Sequence, residues 1–184
     1  MAERPVSAGP LALAIPGSPS PTSGSRRLAE HTLARLAARG WRTATVDLAA
    51  LPADALLGRV EDAATRDAIA LVGTARVLVI ATPMYRATYS GLLKCFFDLM
   101  PPEFLVDRAC VLIAAGAAPG HLLAIDHALR PLVASLGGVS VPTGIYATSG
   151  ELEGDTLTEP MARRLDRAAD EADRLGRALA ASAE

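Results

Sequence analysis

Between residues 16 and 27 the chain reads PGSPSPTSGSRR, so five hydroxyls, Ser18, Ser20, Thr22, Ser23 and Ser25, run directly into Arg26 and Arg27. Hydroxyls and bends ahead of a helix are what a bound anion needs. The first N–H groups of a helix lack acceptors within it, and the helix dipole brings positive charge to the same end. Two arginines in a first helical turn oppose that dipole unless an anion lies close by. Phosphate resolves the conflict. Neither GxGxxG nor GxxxxGK[ST] occurs here, so the loop has neither a dinucleotide fingerprint nor a P-loop; hydroxyls suit a monophosphate held without a metal. Taken alone, the loop also reads as a serine–proline turn with Ser25 as the helix cap.

Two further stretches carry unusual chemistry. In ATPMYRATYSG (81–91), Pro83 stiffens a strand exit, and Met84 and Tyr85 set apolar, polarizable surface where the chain leaves the sheet. Such a turn lies well against a flat aromatic ligand; the plainer reading makes Tyr85 and Tyr89 packing residues around a helix start. In AAGAAPGH (114–121) small residues let the backbone approach a ligand closely, or simply make a tight turn. A phosphate loop, an aromatic-lined loop and a small-residue loop together describe a mononucleotide with a large flat ring. Flavin mononucleotide (FMN) fits that description.

These loops must be held by the elements between them. Aliphatic runs occur at 11–15, 42–48, 75–82, 109–116 and 139–147, and the first, third and fourth are almost continuously apolar, as for strands covered on both faces. Helical stretches alternate with them: RRLAEHTLARLAARG stops at the cap residue Gly40, and Pro131 interrupts the stretch beginning HLLAIDHALRP. This alternation predicts an α/β fold, a five-stranded parallel sheet with helices on both faces and ligands beyond the carboxyl ends of the strands. The three loops follow strands one, three and four. We read residues 1–10 as a flexible N-terminal tail and 11–184 as a single domain.

Composition narrows the class. The formal charge of -2 over 184 residues gives no electrostatic reason to expect nucleic acid or an anionic membrane. No apolar stretch approaches the roughly 20 residues that cross a bilayer. Cys95 and Cys110 sit in apolar surroundings without a CxxC pair, which predicts buried free thiols, a reducing compartment and no metal site. The expected location is cytoplasmic. His31 and His121 have no Cys or His partner at ligand spacing, His31 being read as an exposed helix residue and His121 as a helix-start residue.

GSPSPTSGSRRL, TPMYRATYSGLLK and HLLAIDHALRP resemble the NAD(P)H-dependent FMN reductases of flavodoxin-like fold, over about residues 11–147. The branch most resembled is the reductase components of alkanesulfonate and methanesulfonate two-component monooxygenase systems. The resemblance implies a three-layer flavodoxin-like sandwich, FMN as flavin, NADPH or NADH as hydride donor, a flavin-dependent monooxygenase as partner, and a homodimer or homotetramer. It implies that Ser18, Ser23, Ser25 and Arg26 hold the FMN phosphate, that Pro83, Met84, Tyr85 and Arg86 line the ring and ribityl chain, and that Gly116 and Ala117 meet the pyrimidine end. No residue is assigned acid–base catalysis. Backbone N–H groups of 116–118 are expected to stabilise charge on the reduced ring, with Arg86 beside them or on the donor's phosphates. Ala115-Gly116-Ala117 stands where many relatives have Thr-Gly-Gly. His127 stands where the alkanesulfonate branch interrupts the fourth helix with tyrosine; it is given no catalytic role. The apolar YSGLLKCFFDLM helix is the expected oligomer face. An FMN-retaining quinone or azo-compound reductase is the alternative, ahead of an electron carrier, which would be strongly acidic, and of a flavin-free phosphate binder.

Overall fold

The computed structural model describes residues 9–117, 119–153 and 156–182. A parallel sheet runs in the order β2-β1-β3-β4-β5, with β1 Leu11–Pro16, β2 Arg42–Thr45, β3 Val77–Pro83, β4 Ala109–Ala115 and β5 Val139–Ser140; β6, Ile145–Ala147, also pairs with β4. This is the flavodoxin-like order, with the switch point between β1 and β3. Of the tail read over 1–10, residues 1–8 lie outside the described residues; the carbonyls of Gly9 and Pro10 accept the Arg42 side chain and backbone N–H.

Alternate residues of each buried strand serve two cores. Leu13, Ile15, Leu78, Ile80 and Leu112 pack against α3 (Ala63–Thr74), α4 (Gly91–Asp98) and α5 (Arg130–Ala134). Ala12, Ala14, Val79, Ala81 and Val111 face α1 (Gly24–Ala37) and α6 (Glu159–Ser182). Both faces are dry, so the strands read as continuous apolar runs. Alanines on the second face let α1 and α6 lie close, and α6 answers with Ala168, Ala169, Ala172 and Gly176. Trp41 closes that side, its indole N–H donating to Asp173 at 2.7 Å beneath the Arg177 guanidinium. A short helix α2 (Ala53–Leu56) precedes α3. Cys110 is buried, which pushes its thiol up to about 12, whereas Cys95 is only partly covered, so the expected burial holds for the first alone.

The fifth strand position departs from the single run expected over 139–147. Between Cys110 and Ile113 β4 has two residues, while the partner chain segment has four between Ser140 and Ile145. Pro142 has no N–H to give the ladder, so the strand breaks there. Arg130 closes the gap: its guanidinium donates to Ser140 Oγ, Val141 O and Pro142 O at 2.8, 2.9 and 2.7 Å and to Asp126 at 2.6 Å. Glu171 of α6 accepts the N–H and hydroxyl of Thr143, each at 2.8 Å.

The interruption expected beside Pro131 is a full change of helix type. A 3₁₀ segment, Pro119–Leu123, gives way to a π-helix, Ile125–Leu129, which runs into α5. Pro131 cannot donate to the carbonyl four residues back, and the N–H of Arg130 reaches instead to Ile125 O, five residues back. His127 lies within this π turn and is exposed.

Arg130→Met keeps the aliphatic stem and removes four hydrogen bonds. The expected loss of unfolding free energy in urea is about 2–4 kcal/mol. A change within about 0.5 kcal/mol, the range of an ordinary surface substitution, would show that the broken strand is held otherwise.

Candidate functional site

A cavity of about 300 Å³ opens at the carboxyl ends of β1, β3, β4 and β6, lined by Ser23, Gly24, Ser25 and Arg27, by Pro83, Ala115, Gly116 and Ala117, and by Ala147, Thr148 and Leu152. Its size is at the lower end of small-molecule pockets, roughly 300–1,000 Å³. It lies at the end of the sheet where this topology binds ligands. All three loops singled out in the sequence contribute to it.

In the first loop the hydroxyls divide by task. Ser18 is 1% exposed, and its Oγ accepts the N–H of Ser20 at 3.2 Å, which shapes the bend. Ser23, not Ser25, caps α1 by accepting the N–H of Arg26 at 3.3 Å. Ser25 is fully buried at the back of the wall, 3.4 Å from Ser23 Oγ. No acceptor among the described residues takes the N–H of Gly24 or Ser25. These two donors and the Ser23 hydroxyl meet at the head of a 14-residue helix. The arginines divide as well. Arg26 turns away to Asp47 at 2.5 Å, whose carboxylate also caps Ala49 N–H at 3.1 Å, so this loop has an internal anion. Arg27 is the arginine on the cavity wall.

The second loop is a tight reversal. Tyr85 and Thr88 exchange two backbone hydrogen bonds, at 2.9 and 3.2 Å, with Arg86 and Ala87 between them at φ 53 and 65. A turn with two left-handed residues ordinarily selects Asn-Gly; Arg-Ala bears a cost of about 1 kcal/mol at each position. Such strain persists where neighbours fix the chain. Here Pro83 precedes the turn, and the N–H of Met84 donates to Ala115 O at 2.8 Å. The turn holds Tyr85 out, 50% exposed, and no acceptor among the described residues takes the N–H of Arg86 or Ala87.

The third loop owes its closeness to Gly116. A Cβ there would stand 2.6 Å from the Tyr146 hydroxyl and 3.0 Å from Met84 Cβ. The N–H of Gly116 donates to Ala147 O at 3.0 Å, so it completes the sheet and is not free to be the charge-stabilising donor expected within 116–118. Burial pushes the Tyr146 phenol up from its ordinary range.

Sequence reasoning noted Arg27 but gave the phosphate to Arg26, and it did not pick out Ala147, Thr148 or Leu152 as lining. Leu152 belongs to a hairpin of β7 (Leu152–Glu153) and β8 (Thr156–Leu157), and its Cδ1 would be 2.7 Å from a Cβ on Gly24. The signal for the hairpin is the Gly154-Asp155 pair between two short apolar-polar runs. Glu151 anchors its base by accepting the N–H and hydroxyl of Thr148 at 2.9 and 3.0 Å. A second cavity of about 360 Å³ opens beyond Tyr146 and Thr148, but the cations there already face carboxylates, Arg130 with Asp126 and Arg164 with Glu151.

The donor set of the first cavity fits a phosphate monoester at the head of α1. Of the second loop only Pro83 reaches the wall; Met84, Tyr85 and Arg86, expected at the ring, do not line the cavity. A family model described as NADPH-dependent FMN reductase matches residues 10–153. The chain is 34% identical over 151 residues to an FMN reductase (NADPH) of Pseudomonas putida, covering 82% of this chain and 77% of that one. It is 38% identical over 125 residues to the NADH-dependent FMN reductase SfnF of Pseudomonas fluorescens, covering 67% of each. Among solved structures, the apo form of an NADH:FMN oxidoreductase (EMOB) matches with a TM-score of 0.80 at 32% identity, over 91% of this chain and 89% of that one.

Gly116→Ala forces Tyr146 or Met84 into the cavity. We expect FMN affinity, read by quenching of flavin fluorescence, to fall about tenfold or more, an overpacking cost of about 1–3 kcal/mol. Unchanged affinity would mean that the ring does not approach Gly116.

Proposed function

The chain belongs to the NADPH-dependent FMN reductase family and is an oxidoreductase using NAD(P)H and FMN, and from that premise we propose that the described cavity holds the flavin and that the reduced product leaves for a partner monooxygenase of the sulfonate-utilising type. The observation that carries the site assignment is the meeting on one cavity of unpaired helix-head donors, Pro83 at the foot of the rigid turn and a glycine backbone. In this reading Ser23 and the N–H groups of Gly24 and Ser25 hold the phosphate, while Ser18 shapes the bend that presents them. Arg26, committed to Asp47, acts at one remove, and Arg27 supplies the charge at the wall. Pro83 and the bare backbone of Gly116 face the ring.

Flavin, when bound, supplies the hydride chemistry itself, and the chain is left with orientation and electrostatics. That accounts for a cavity whose wall, among the described residues, holds no histidine or carboxylate. The N–H groups of Arg86 and Ala87 point out of the strained turn and are placed to meet negative charge that grows on a reduced ring, as fixed dipoles need no reorganisation. The Arg86 side chain is exposed beside them and suits the phosphates of the nicotinamide donor. Relatives of this chain include both NADH- and NADPH-named reductases, and NAD(P)H is the donor class they share.

Self-association is part of the proposal, though on a different surface from the one expected. Helix α4 buries Leu93, Phe96 and Phe97 within the chain, which accounts for most of its apolar surface. Leu122 and Leu123, beside the π-helix, are 52% and 55% exposed and suit a contact between copies better. No helix among the described residues is long and apolar enough to cross a membrane, and the reading sets the enzyme in the cytoplasm, with its nicotinamide donor.

The decisive assay mixes NADH or NADPH with a several-fold excess of FMN over protein, without oxygen, and follows the flavin absorbance. We expect the whole excess to bleach. Bleaching of a single protein-bound equivalent would replace the releasing reductase with an enzyme that retains FMN and reduces a quinone or azo compound.

A further inference from the structure

Two buried hydroxyls that do not line the cavity, Thr82 and Ser90, connect its first loop to its second. The N–H of Ser90 donates to Thr82 Oγ1 at 3.0 Å, and that hydroxyl donates to Pro83 O at 3.0 Å, so the excursion that carries Tyr85 is closed on itself. Ser90 Oγ then does two things. It accepts the N–H of Leu93 at 3.1 Å, capping α4, and it donates to the carbonyl of Gly17 at 2.5 Å. Gly17 opens the hydroxyl loop. Its N–H is fixed to Ala81 O at 2.7 Å, and a Cβ on it would stand 2.8 Å from Leu93 Cβ. The loop therefore leaves β1 pressed against the first turn of α4, with the N–H of its first residue tied to β3 and the C=O of that residue to Ser90.

A helix cap needs none of this. Asp62 caps α3 by accepting Thr65 N–H at 2.8 Å and the Thr65 hydroxyl at 3.0 Å, with no bond to a cavity loop. What distinguishes Ser90 is where its proton goes. We propose that Ser90 is a positioning residue for the flavin phosphate: by fixing the Gly17 carbonyl it holds the bend Ser18–Ser23 in register with the ring surface at Pro83–Ala87, and this register gives the site its preference for FMN over riboflavin, which lacks the phosphate. The inference rests on the reading of the cavity as an FMN site.

Three variants test it. Ser90→Ala leaves the buried Gly17 carbonyl without its donor, Ser90→Thr keeps a hydroxyl, and Asp62→Ala removes a cap of the same kind elsewhere. FMN and riboflavin are titrated separately, and amide hydrogen exchange is followed over residues 17–27 without flavin. In Ser90→Ala the FMN Kd should rise about tenfold, the riboflavin Kd should stay within about twofold, and exchange over 17–27 should quicken. Ser90→Thr should restore the preference. Asp62→Ala should lower the melting temperature and leave the ratio of the two Kd values as it was. Equal weakening of both flavins by Ser90→Ala, unchanged FMN affinity, or unchanged exchange would each overturn the proposal. If Ser90→Ala does not fold, Thr82→Val removes the partner of Ser90 N–H and is expected to shift the same ratio in the same direction, with an unchanged ratio counting against the tie. A wild-type chain that binds neither flavin refutes the function proposed above; exchange over 17–27 in Ser90→Ala, faster or unchanged, still decides for or against the tie.

Discussion

The constraint on which this structure turns is a parallel sheet covered on both faces. β1, β3 and β4 are buried almost throughout, so every backbone N–H and C=O within them must find a partner in the ladder. Unpaired donors are then confined to the strand ends. Along the two buried faces the chain chose opposite sizes: leucine and isoleucine toward α3 and α4, alanine and valine toward α1 and α6. The second choice draws α1 in close, and the head of α1 comes to lie beside the ends of β3 and β4. Close packing over one core thus sets the position of the anion donors, and the site is a consequence of how near a helix can approach a sheet.

The same rule explains the far edge. Once Pro142 breaks the fifth strand, several main-chain groups lose ladder partners, and charged side chains from two directions take them over, Arg130 from the π–α junction and Glu171 from α6. Charged hydrogen bonds to backbone are stronger than neutral ones and hold an irregular segment in one shape. Beyond the break the chain re-enters the sheet as Ile145–Ala147, which brings Tyr146 against Gly116 and Thr148 to the cavity wall. The irregularity has a use: it adds two residues of length at the point where the edge must reach over the site.

Much of this was legible in the sequence, and what was not had a physical reason. Continuous apolar runs located β1, β3 and β4, and the loops after them were recognisable by their hydroxyls, aromatics and small residues. The run 42–48 ends as a strand at Thr45 because Asp47 caps the next turn and pairs with Arg26. The hairpin 152–157 has strands of two residues, too short to show a period. The division between Arg26 and Arg27 is the clearest limit. Adjacent residues on a helix point about 100° apart, and which one faces a cavity is decided by a carboxylate far away in the chain. Similarly, Ser18 was visible as a hydroxyl, but burial sets it to shaping the loop, and burial is a tertiary property.

The electrostatics of the first loop bear on what kind of flavin protein this is. A phosphate can be held by cationic side chains or by amide and hydroxyl donors, and because the phosphate is itself ionised both kinds of bond are charge-assisted. Here Arg26 is paired with Asp47, and the head of α1 offers two amides and a serine hydroxyl, with Arg27 at the wall. Amide and hydroxyl donors aligned at a helix head select a phosphate by geometry. On the other side of the cavity the second loop brings Pro83 to the wall and the third brings the bare backbone of Gly116. On the function proposed above, a site that selects by geometry is what a reductase requires when flavin is its substrate and the reduced product must reach a second enzyme.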